Sequence, residues 1–391
     1  RATEERKLSP SERLKVLAQT YPIYREPLVT KAFFFAFKAH EGQVRKSGEP
    51  YFNHVLETSK ILVEMGFDVS TVAAGLLHDT LDDTMTTFEM LEETFGSDVA
   101  NLVARVSRLS ELSQMLRHEG GADFSNDKKS AYGDIMLGMS DVRAVLVKLA
   151  DRLHNLQTIE FLPVVKQQGL AQETLSYLTP LANRLGVWSL KAKMEDICFK
   201  VLHPEVHEEV MIAAGQQEDQ SRQEIMCAIQ DISDSLSSAG VEFEDISGRP
   251  KNLYSMWKKM CNKGLESHEI LDQRALRIIV KNNDDCYKAL AVVNDIFTPI
   301  DGRLKDYIKT PKINGYQSIH TSLISASGLP LEVQIRTAEM HYVAEYGLAA
   351  HWRYKEQTSH RKSKVPTEEA GKSDLLGSSY TERQIAWARF A

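Results

Sequence analysis

Residues 140–159 read SDVRAVLVKLADRLHNLQTI. Apolar residues recur three and four apart, so the stretch predicts an amphipathic helix. Asp151 and Asn155 are four apart and share one face of it. Working outward, LVTKAFFFAFKAH (28–40) and VLETSKILVEMG (55–66) carry the same period. Helix-start signals recur: Ser9 before Pro10, Ser70 and Thr71 before VAAGLLHD (72–79), and Thr86 or Thr87 before FEMLEETFG (88–96), which Gly96 closes. Residues 1–205 are therefore expected to form an all-α domain. The polar stretch 110–131, SELSQMLRHEGGADFSNDKKSA, reads as a mobile loop inside it.

The pattern then changes. Residues 206–246 are acidic and helical in period, as in a connector. After Gly248, LDQRALRIIV (271–280), GYQSIHTSLISAS (315–327) and LPLEVQIRT (329–337) are short β-branched runs bounded by Gly, Pro and Asn, which read as strands. Helical pieces lie between them. Residues 247–355 thus form a mixed α+β domain, so the fold class is multidomain. Residues 356–391 are a polar tail, expected to lead into a further region. The first residue is Arg1 rather than Met, without a charged-then-apolar signal pattern, which is expected of a processed or excised chain.

Composition narrows the function classes. The chain has 391 residues, 42% of them hydrophobic and 26% charged, as in an ordinary soluble protein of two or three domains. No run approaches the roughly 20 apolar residues of a membrane span. Four dispersed cysteines without a CxxC pair argue against a disulfide framework or a thiolate zinc site and fit a reducing compartment. A net charge of −7 disfavours duplex-DNA binding unless the basic residues are segregated.

They are segregated. From Leu76 to Val99 there are seven acidic residues and no Lys or Arg. This stretch holds the pair His78-Asp79; His54 lies upstream and Asp151 downstream. Two imidazoles and two carboxylates form a mixed nitrogen and oxygen shell that suits manganese, iron or zinc better than calcium. A metal there could polarise a phosphate and activate a water. Asp82 and Asp83 follow one turn later, within reach of that water. Arg45-Lys46-Ser47-Gly48 is a basic loop suited to a phosphorylated ligand. The acidic run is equally compatible with a solvated helix face, and Asp151 with an ion pair to Lys148 or Arg152.

By contrast, Gly248–Leu265 holds five basic residues and no acidic one, and Arg303–His320 four basic and one acidic. Lys251, Ser255 and Lys259 share a helix face and could follow a triphosphate, although lysines at that spacing are more often solvated. Tyr316, after the Asn314-Gly315 turn, could stack on a base or be an ordinary buried tyrosine. In LEVQIRT, Leu331, Val333 and Ile335 face one way and Glu332, Gln334 and Arg336 the other. That polar face is either half-exposed or lines a cleft. Asp272 adds a second carboxylate, and two carboxylates among cations suit magnesium-dependent phosphoryl-type transfer.

The fragments GQVRKSGEPYFNH (42–54), GLLHDTLDDT (75–84) and VKLADRLHNLQTI (147–159) resemble an HD-type phosphohydrolase domain. In particular, they resemble the hydrolase domain of the RelA/SpoT homologue family, enzymes of (p)ppGpp metabolism. SGRPKNLYSMWKKM (247–260), LDQRALRIIV, GRLKDYIKTPKINGYQSIHT (302–321) and LEVQIRTAEMHYVAEYGLAAHW (331–352) resemble its nucleotidyltransferase-like synthetase domain. The resemblance implies His54, His78, Asp79 and Asp151 as Mn2+ ligands, with Arg45, Lys46, Ser47, Asn155 and Thr158 on the guanosine nucleotide. It implies Asp272 and Glu332 as Mg2+ ligands, Glu332 also activating the 3′-hydroxyl of GDP or GTP. Lys251, Ser255 and Lys259 fall on the phosphates of ATP, the pyrophosphate donor, and Arg249 and Arg277 near adenine. Lys305, Lys312, Asn314, Tyr316, Gln317 and His320 fall on the acceptor nucleotide.

The implied chemistry is pyrophosphate transfer from ATP to the 3′-oxygen, releasing AMP, and hydrolytic removal of the 3′-diphosphate of ppGpp. Arg303-Leu304-Lys305-Asp306 fits the RxKD form of bifunctional members, and Gly248 is retained. One departure is that the family commonly has Glu-Asp where this chain has Asp82-Asp83. The shorter side chain is expected to retain hydrolysis at a reduced rate, since ~1 Å of misplacement costs a large factor. HDTLDD, KTPKINGYQSIHTSLI and AAHWRYKE resemble the plant, plastid-targeted branch, which implies a chloroplast location. Nucleotides are the implied partners, duplex DNA and membranes are not, and an oligomer is compatible with the sequence. A ribosome or other regulator is implied only through a C-terminal region beyond residue 391. The alternatives are a synthetase with an inactive hydrolase domain, or a catalytically silent guanosine-nucleotide sensor.

Overall fold

The computed structural model describes residues 8–119, 141–216, 218–248, 252–263, 275–312, 315–325, 328 and 330–347. They divide into two compact units, one ending at Arg184 and the other spanning Leu185–Gly347.

The first unit is helical. Its helices are α1 (Pro10–Thr20), α2 (Pro27–Ala39), α3 (Phe52–Glu64), α4 (Val69–Leu77), α5 (Phe88–Phe95), α6 (Ser97–Glu119), α7 (Val142–Gln157), α8 (Val164–Glu173) and α9 (Thr179–Arg184). Ser9 caps α1 as its sequence predicts. The Ser9 hydroxyl accepts from the Glu12 amide at 3.4 Å, while the Glu12 carboxylate accepts from the Ser9 amide at 2.8 Å.

Helix α4 is buried all round from Thr71 to Leu77 and packs against α2, α3, α6 and α7. Its cap is Asp68, which accepts from the Thr71 amide at 3.1 Å. Ser70 and Thr71, read as the start signal, therefore lie inside the helix: the carboxylate one turn earlier already satisfies the free amide. Gly75 lets α3 approach closely, since a Cβ there would run into Leu62 of that helix. This contact brings the two histidine-bearing helices together.

The loop expected at 110–131 is corrected in part, because α6 continues to Glu119. Val106, Leu109 and Ser113 keep a buried stripe at helical spacing, so the polar residues 110–113 sit within a helix. Residues 120–131 lie outside the described residues, as does the tail 356–391.

The second unit contains α10 (Trp188–Leu202), α11 (Pro204–Gln216), α12 (Glu218–Ser238), α13 (Leu253–Lys263), α14 (Asn283–Ile296) and α15 (Ala338–Tyr346). Its strands are β1 (Phe243–Gly248), β2 (Ala275–Val280), β3 (Thr298–Pro299), β4 (Lys305–Asp306), β5 (Ile319–Ile324) and β6 (Pro330–Thr337). The sheet order is β1-β2-β6-β5-β3, with β4 also on β5 and only β2–β6 parallel. Leu276, Ile278 and Val280, with Leu331, Val333 and Ile335, bury one face under α14 and under Ala228, Ile232 and Leu236 of α12. Each such aliphatic side chain contributes about 1.5–3 kcal/mol when fully buried. The stretch read as a connector thus supplies part of this core. Separately, α13 packs on α10 and α11 through Trp257, stacked on Phe199 at 4.9 Å.

Gly347 ends α15 at φ 53°, and a Cβ there would collide with the backbone of Leu185 and Gly186. Gly347→Ala is expected to destabilise this unit by about 2–3 kcal/mol. That corresponds to a fall of about 5–10 °C in melting temperature by calorimetry; an unchanged melt would contradict the packing.

Candidate active sites

In the first unit, three helices deliver the predicted cluster. His54 lies in the first turn of α3, His78 ends α4, Asp79 follows where the helix breaks, and Asp151 sits mid-α7. His54, His78 and Asp151 are buried and present ligand atoms within 4.8 Å of one another. His54 Nε2 is 3.2 Å from Asp151 Oδ1 and 3.4 Å from Asp79 Oδ2; His78 Nε2 is 3.1 Å from Asp79 Oδ2. Burial opposes ionisation of both carboxyls. The imidazoles outweigh it for Asp79, and Lys148 with the imidazoles for Asp151, holding both well below the usual carboxylate range.

The donor set fits a divalent cation. His78 Nδ1 donates to the Gly75 carbonyl at 2.8 Å, which leaves Nε2 as the nitrogen able to meet a metal. Against burial, Asp79 and Asp151 hold its proton with a pKa raised to about 10, a proton that a metal would displace. That Nε2 is buried and has no hydrogen-bond partner of good geometry. A buried nitrogen of this kind beside two carboxylates is what a metal ion satisfies.

The other predicted residues surround the cluster. The Arg45–Gly48 turn is closed by the Gly48 amide on the Arg45 carbonyl at 2.9 Å. From it the Arg45 guanidinium reaches Asn155 Oδ1 at 2.5 Å and Thr158 Oγ1 at 3.3 Å. Arg45, Lys46, Ser47, Asn155 and Thr158 line one open cleft of about 410 Å³, joined by Asp151, Lys148 and the apolar Phe161, Leu162 and Leu170. That volume is within the range of small-molecule sites. The Ser107 hydroxyl donates to Asp82, and Tyr51 Oη lies 2.8 Å from Asp83 and 2.9 Å from Asp79. Burial, with Asp79 and Asp83 adding to it, raises the Asp82 carboxyl above its ordinary value.

Three participants escaped the sequence reading as site residues: Tyr51, Lys148 and His154. Lys148 reaches Asp151 Oδ2 at 2.7 Å and Ser110 at 2.8 Å, whereas Arg152 pairs with Glu173. His154 Nδ1 lies 2.7 Å from His54 Nδ1; burial, then the His54 and Arg45 charges, push His154 down to about 3. Each is three residues from a member of the predicted cluster, Tyr51 before His54 and Lys148 and His154 on either side of Asp151. The helical spacing was therefore the available signal.

In the second unit, the face of the sheet opposite its core gathers Glu332, Gln334 and Arg336 of β6, Arg277 of β2 and His320 of β5. Glu332 is partly exposed, but Gln334 and Arg336 are buried, so the face is only locally open. Glu332 Oε1 accepts from Gln334 at 3.0 Å and lies 3.6 Å from His320 Nδ1. Tyr316 Oη meets His320 Nε2 at 2.7 Å, and Lys305 is the cross-strand neighbour of His320. Tyr316 is half-buried, and Lys312 Nζ stands 5.1 Å from its ring centre.

Lys305, Lys312, Tyr316, His320 and Glu332 are thus linked through neighbouring contacts. Gln317 instead donates to the Ile308 carbonyl at 3.4 Å. Arg277 turns to Glu345 at 3.3 Å, which Arg336 also reaches at 3.4 Å; Glu345 was not singled out in the sequence. Ser255 and Lys259 are exposed along α13. Arg249, Lys251, Asp272 and Asn314 lie outside the described residues.

Two family profiles match, one for an HD domain over residues 32–188 and one for a region found in RelA / SpoT proteins over residues 248–359. Among curated relatives, "Probable GTP diphosphokinase RSH3, chloroplastic" of Arabidopsis thaliana is 45% identical over 370 residues, covering 95% of this chain and 49% of the relative. "Bifunctional (p)ppGpp synthase/hydrolase SpoT" of Escherichia coli is 43% identical, covering 88% and 48%. A "Probable guanosine-3′,5′-bis(diphosphate) 3′-pyrophosphohydrolase" of Synechocystis is 40% identical, covering 93% and 45%. The chain spans about half the length of the curated relatives it matches.

Proposed function

The chain belongs to the RelA/SpoT homologue family, and from that premise we propose that it both makes and hydrolyses (p)ppGpp, within a chloroplast. The observation that carries the reading is that each unit has carboxylates set beside basic or amide groups suited to a nucleotide phosphate. One site is Asp151 beside Arg45 and Asn155; the other is Glu332 beside His320, whose cross-strand neighbour is Lys305. No helix among the described residues is long and apolar enough to cross a membrane.

For hydrolysis, His54, His78, Asp79 and Asp151 would hold Mn2+, which when bound supplies positive charge against the phosphate and acidifies a water. Arg45, Lys46, Ser47, Asn155 and Thr158 bind and orient the guanosine nucleotide. Asp82 takes the proton of the attacking water; its raised affinity for a proton suits a general base. Tyr51 holds Asp83 in place beside it. The water oxygen bonds to the phosphorus on ribose O3′, the O3′–P bond breaks to release pyrophosphate, and O3′ takes up a proton from solvent as Asp82 returns the one it accepted.

For synthesis, Glu332 and Asp272 would hold Mg2+, which when bound offsets phosphate charge. Lys251, Ser255 and Lys259 bind the ATP phosphates, with Arg249 and Arg277 toward adenine. Lys305, Lys312, Asn314, Tyr316, Gln317 and His320 bind GDP or GTP. Glu332 accepts the 3′-hydroxyl proton, O3′ attacks the β-phosphorus of ATP, and the α–β bridge breaks to release AMP.

Two assays on the purified protein test this. ATP, GDP and Mg2+ should yield AMP and a guanosine 3′-diphosphate; ppGpp and Mn2+ should yield pyrophosphate. Product in neither leaves only a nucleotide sensor. The bond from Ser107 to Asp82 bears on a synthetase-only reading, because it restrains the shorter carboxylate. Asp82→Glu is expected to leave pyrophosphate release equal or faster. A large loss would mean that the turn is built for aspartate.

A further inference from the structure

We propose that His154, which the reaction above leaves unused, is a positioning residue that sets the tautomer of the metal ligand His54. The inference rests on the hydrolase reading of this site and deepens it. His54 Nδ1 and His154 Nδ1 are 2.7 Å apart, and both rings are buried. Two ring nitrogens at that distance share one proton, so one donates and the other accepts. Arg45 decides which. Its Nη1 lies 3.4 Å from the same His154 Nδ1, and a guanidinium has donors only. His154 Nδ1 therefore presents a lone pair to both neighbours.

It follows that His54 Nδ1 carries the proton and His54 Nε2 the lone pair. That lone pair faces Asp151 at 3.2 Å and Asp79 at 3.4 Å, toward the shared cation position. For His78 the Gly75 carbonyl performs the same task. The two imidazole ligands are thus fixed differently, one by a backbone acceptor and one by a side chain that can be replaced. His154 follows Asp151 by three residues on α7, so one helix face supplies a carboxylate ligand and orients an imidazole from α3. Partners that orient a ligating imidazole typically contribute 10–100-fold to metal affinity.

The test is calorimetric titration of the metal-free protein with Mn2+ alone, for wild type, His154→Asn, His154→Leu and His154→Gln, with thermal melts to establish folding. Asparagine places an oxygen that only accepts near the Nδ1 position. It is expected to keep Mn2+ affinity within about threefold, while leucine loses about 10–100-fold. Glutamine, whose amide falls beyond that position, is expected to lose affinity as well and replaces leucine in the comparison if leucine prevents folding. A folded leucine or glutamine variant with wild-type affinity overturns the inference, as does an asparagine variant that loses as much as they do. Wild-type protein that takes up no Mn2+ removes the metal reading and this inference with it. Wild-type uptake with indifferent variants removes the inference alone.

Discussion

Replacing Asp79 with alanine is expected to reduce Mn2+-dependent release of pyrophosphate from ppGpp by about a thousandfold or more, while AMP formation from ATP and GDP is unchanged. Asp79 approaches both His54, at 3.4 Å, and His78, at 3.1 Å, and comes nearer to His78 than Asp151 does, at 3.8 Å. Its removal would take away a proposed ligand and a full negative charge at once. A loss of about 4 kcal/mol, ordinary for metal-assisted charge stabilisation, is about a thousandfold in rate. It also leaves the Tyr51 hydroxyl with Asp83 alone. Asp79 lies at a helix break rather than inside a helix, so the fold should tolerate alanine. Intact Mn2+-dependent hydrolysis in Asp79→Ala would show that the metal site is misassigned.

The second large effect is the converse. Glu332→Gln is expected to lower synthesis by about a hundredfold to ten-thousandfold, the range for losing a positioned base, with hydrolysis preserved. Glutamine has the same shape and keeps an oxygen to accept from Gln334, as Oε1 does at 3.0 Å. What disappears is the negative charge facing His320 and the capacity to take the 3′-hydroxyl proton. The polar face of β6 should therefore stay in register, and a lost rate would reflect chemistry rather than folding. AMP release within tenfold of the parent protein would exclude Glu332 as the base.

The two substitutions together also separate the alternatives. Opposite single losses require two independent catalytic sites. If Asp79→Ala has no effect because the parent protein already lacks hydrolysis, the synthetase-only reading stands.

Much of this was legible along the chain. The 3.6-residue period marked α2, α3 and α7, and strict alternation marked β6, because both are local consequences of which side chains must leave water. The start of α4 was misplaced because Ser70, Thr71 and Asp68 are all competent caps, and only the backbone conformation selects among them. The polar end of α6 was mistaken for a loop because composition alone does not distinguish a polar helix from an irregular segment. Lys148 was weighed only as an ion-pair partner of Asp151, and Tyr51 not at all, since neither carries metal-ligand chemistry on its own.

The sequence by itself determined the chemical inventory: an acidic His-Asp region, separate basic stretches, and a change from helical to mixed architecture near Gly248. It also carried enough motif to place the chain in its family. Tertiary structure alone decided which residues meet. His54 and His154 stand 100 positions apart yet bring their Nδ1 atoms to 2.7 Å, and Arg45 reaches Asn155 across 110. The physical reason is that periodicity reports how each side chain is oriented about its own helix or strand. Which helices pack together depends on contacts such as Gly75 beside Leu62, where the absence of a Cβ leaves the space that the Leu62 side chain fills.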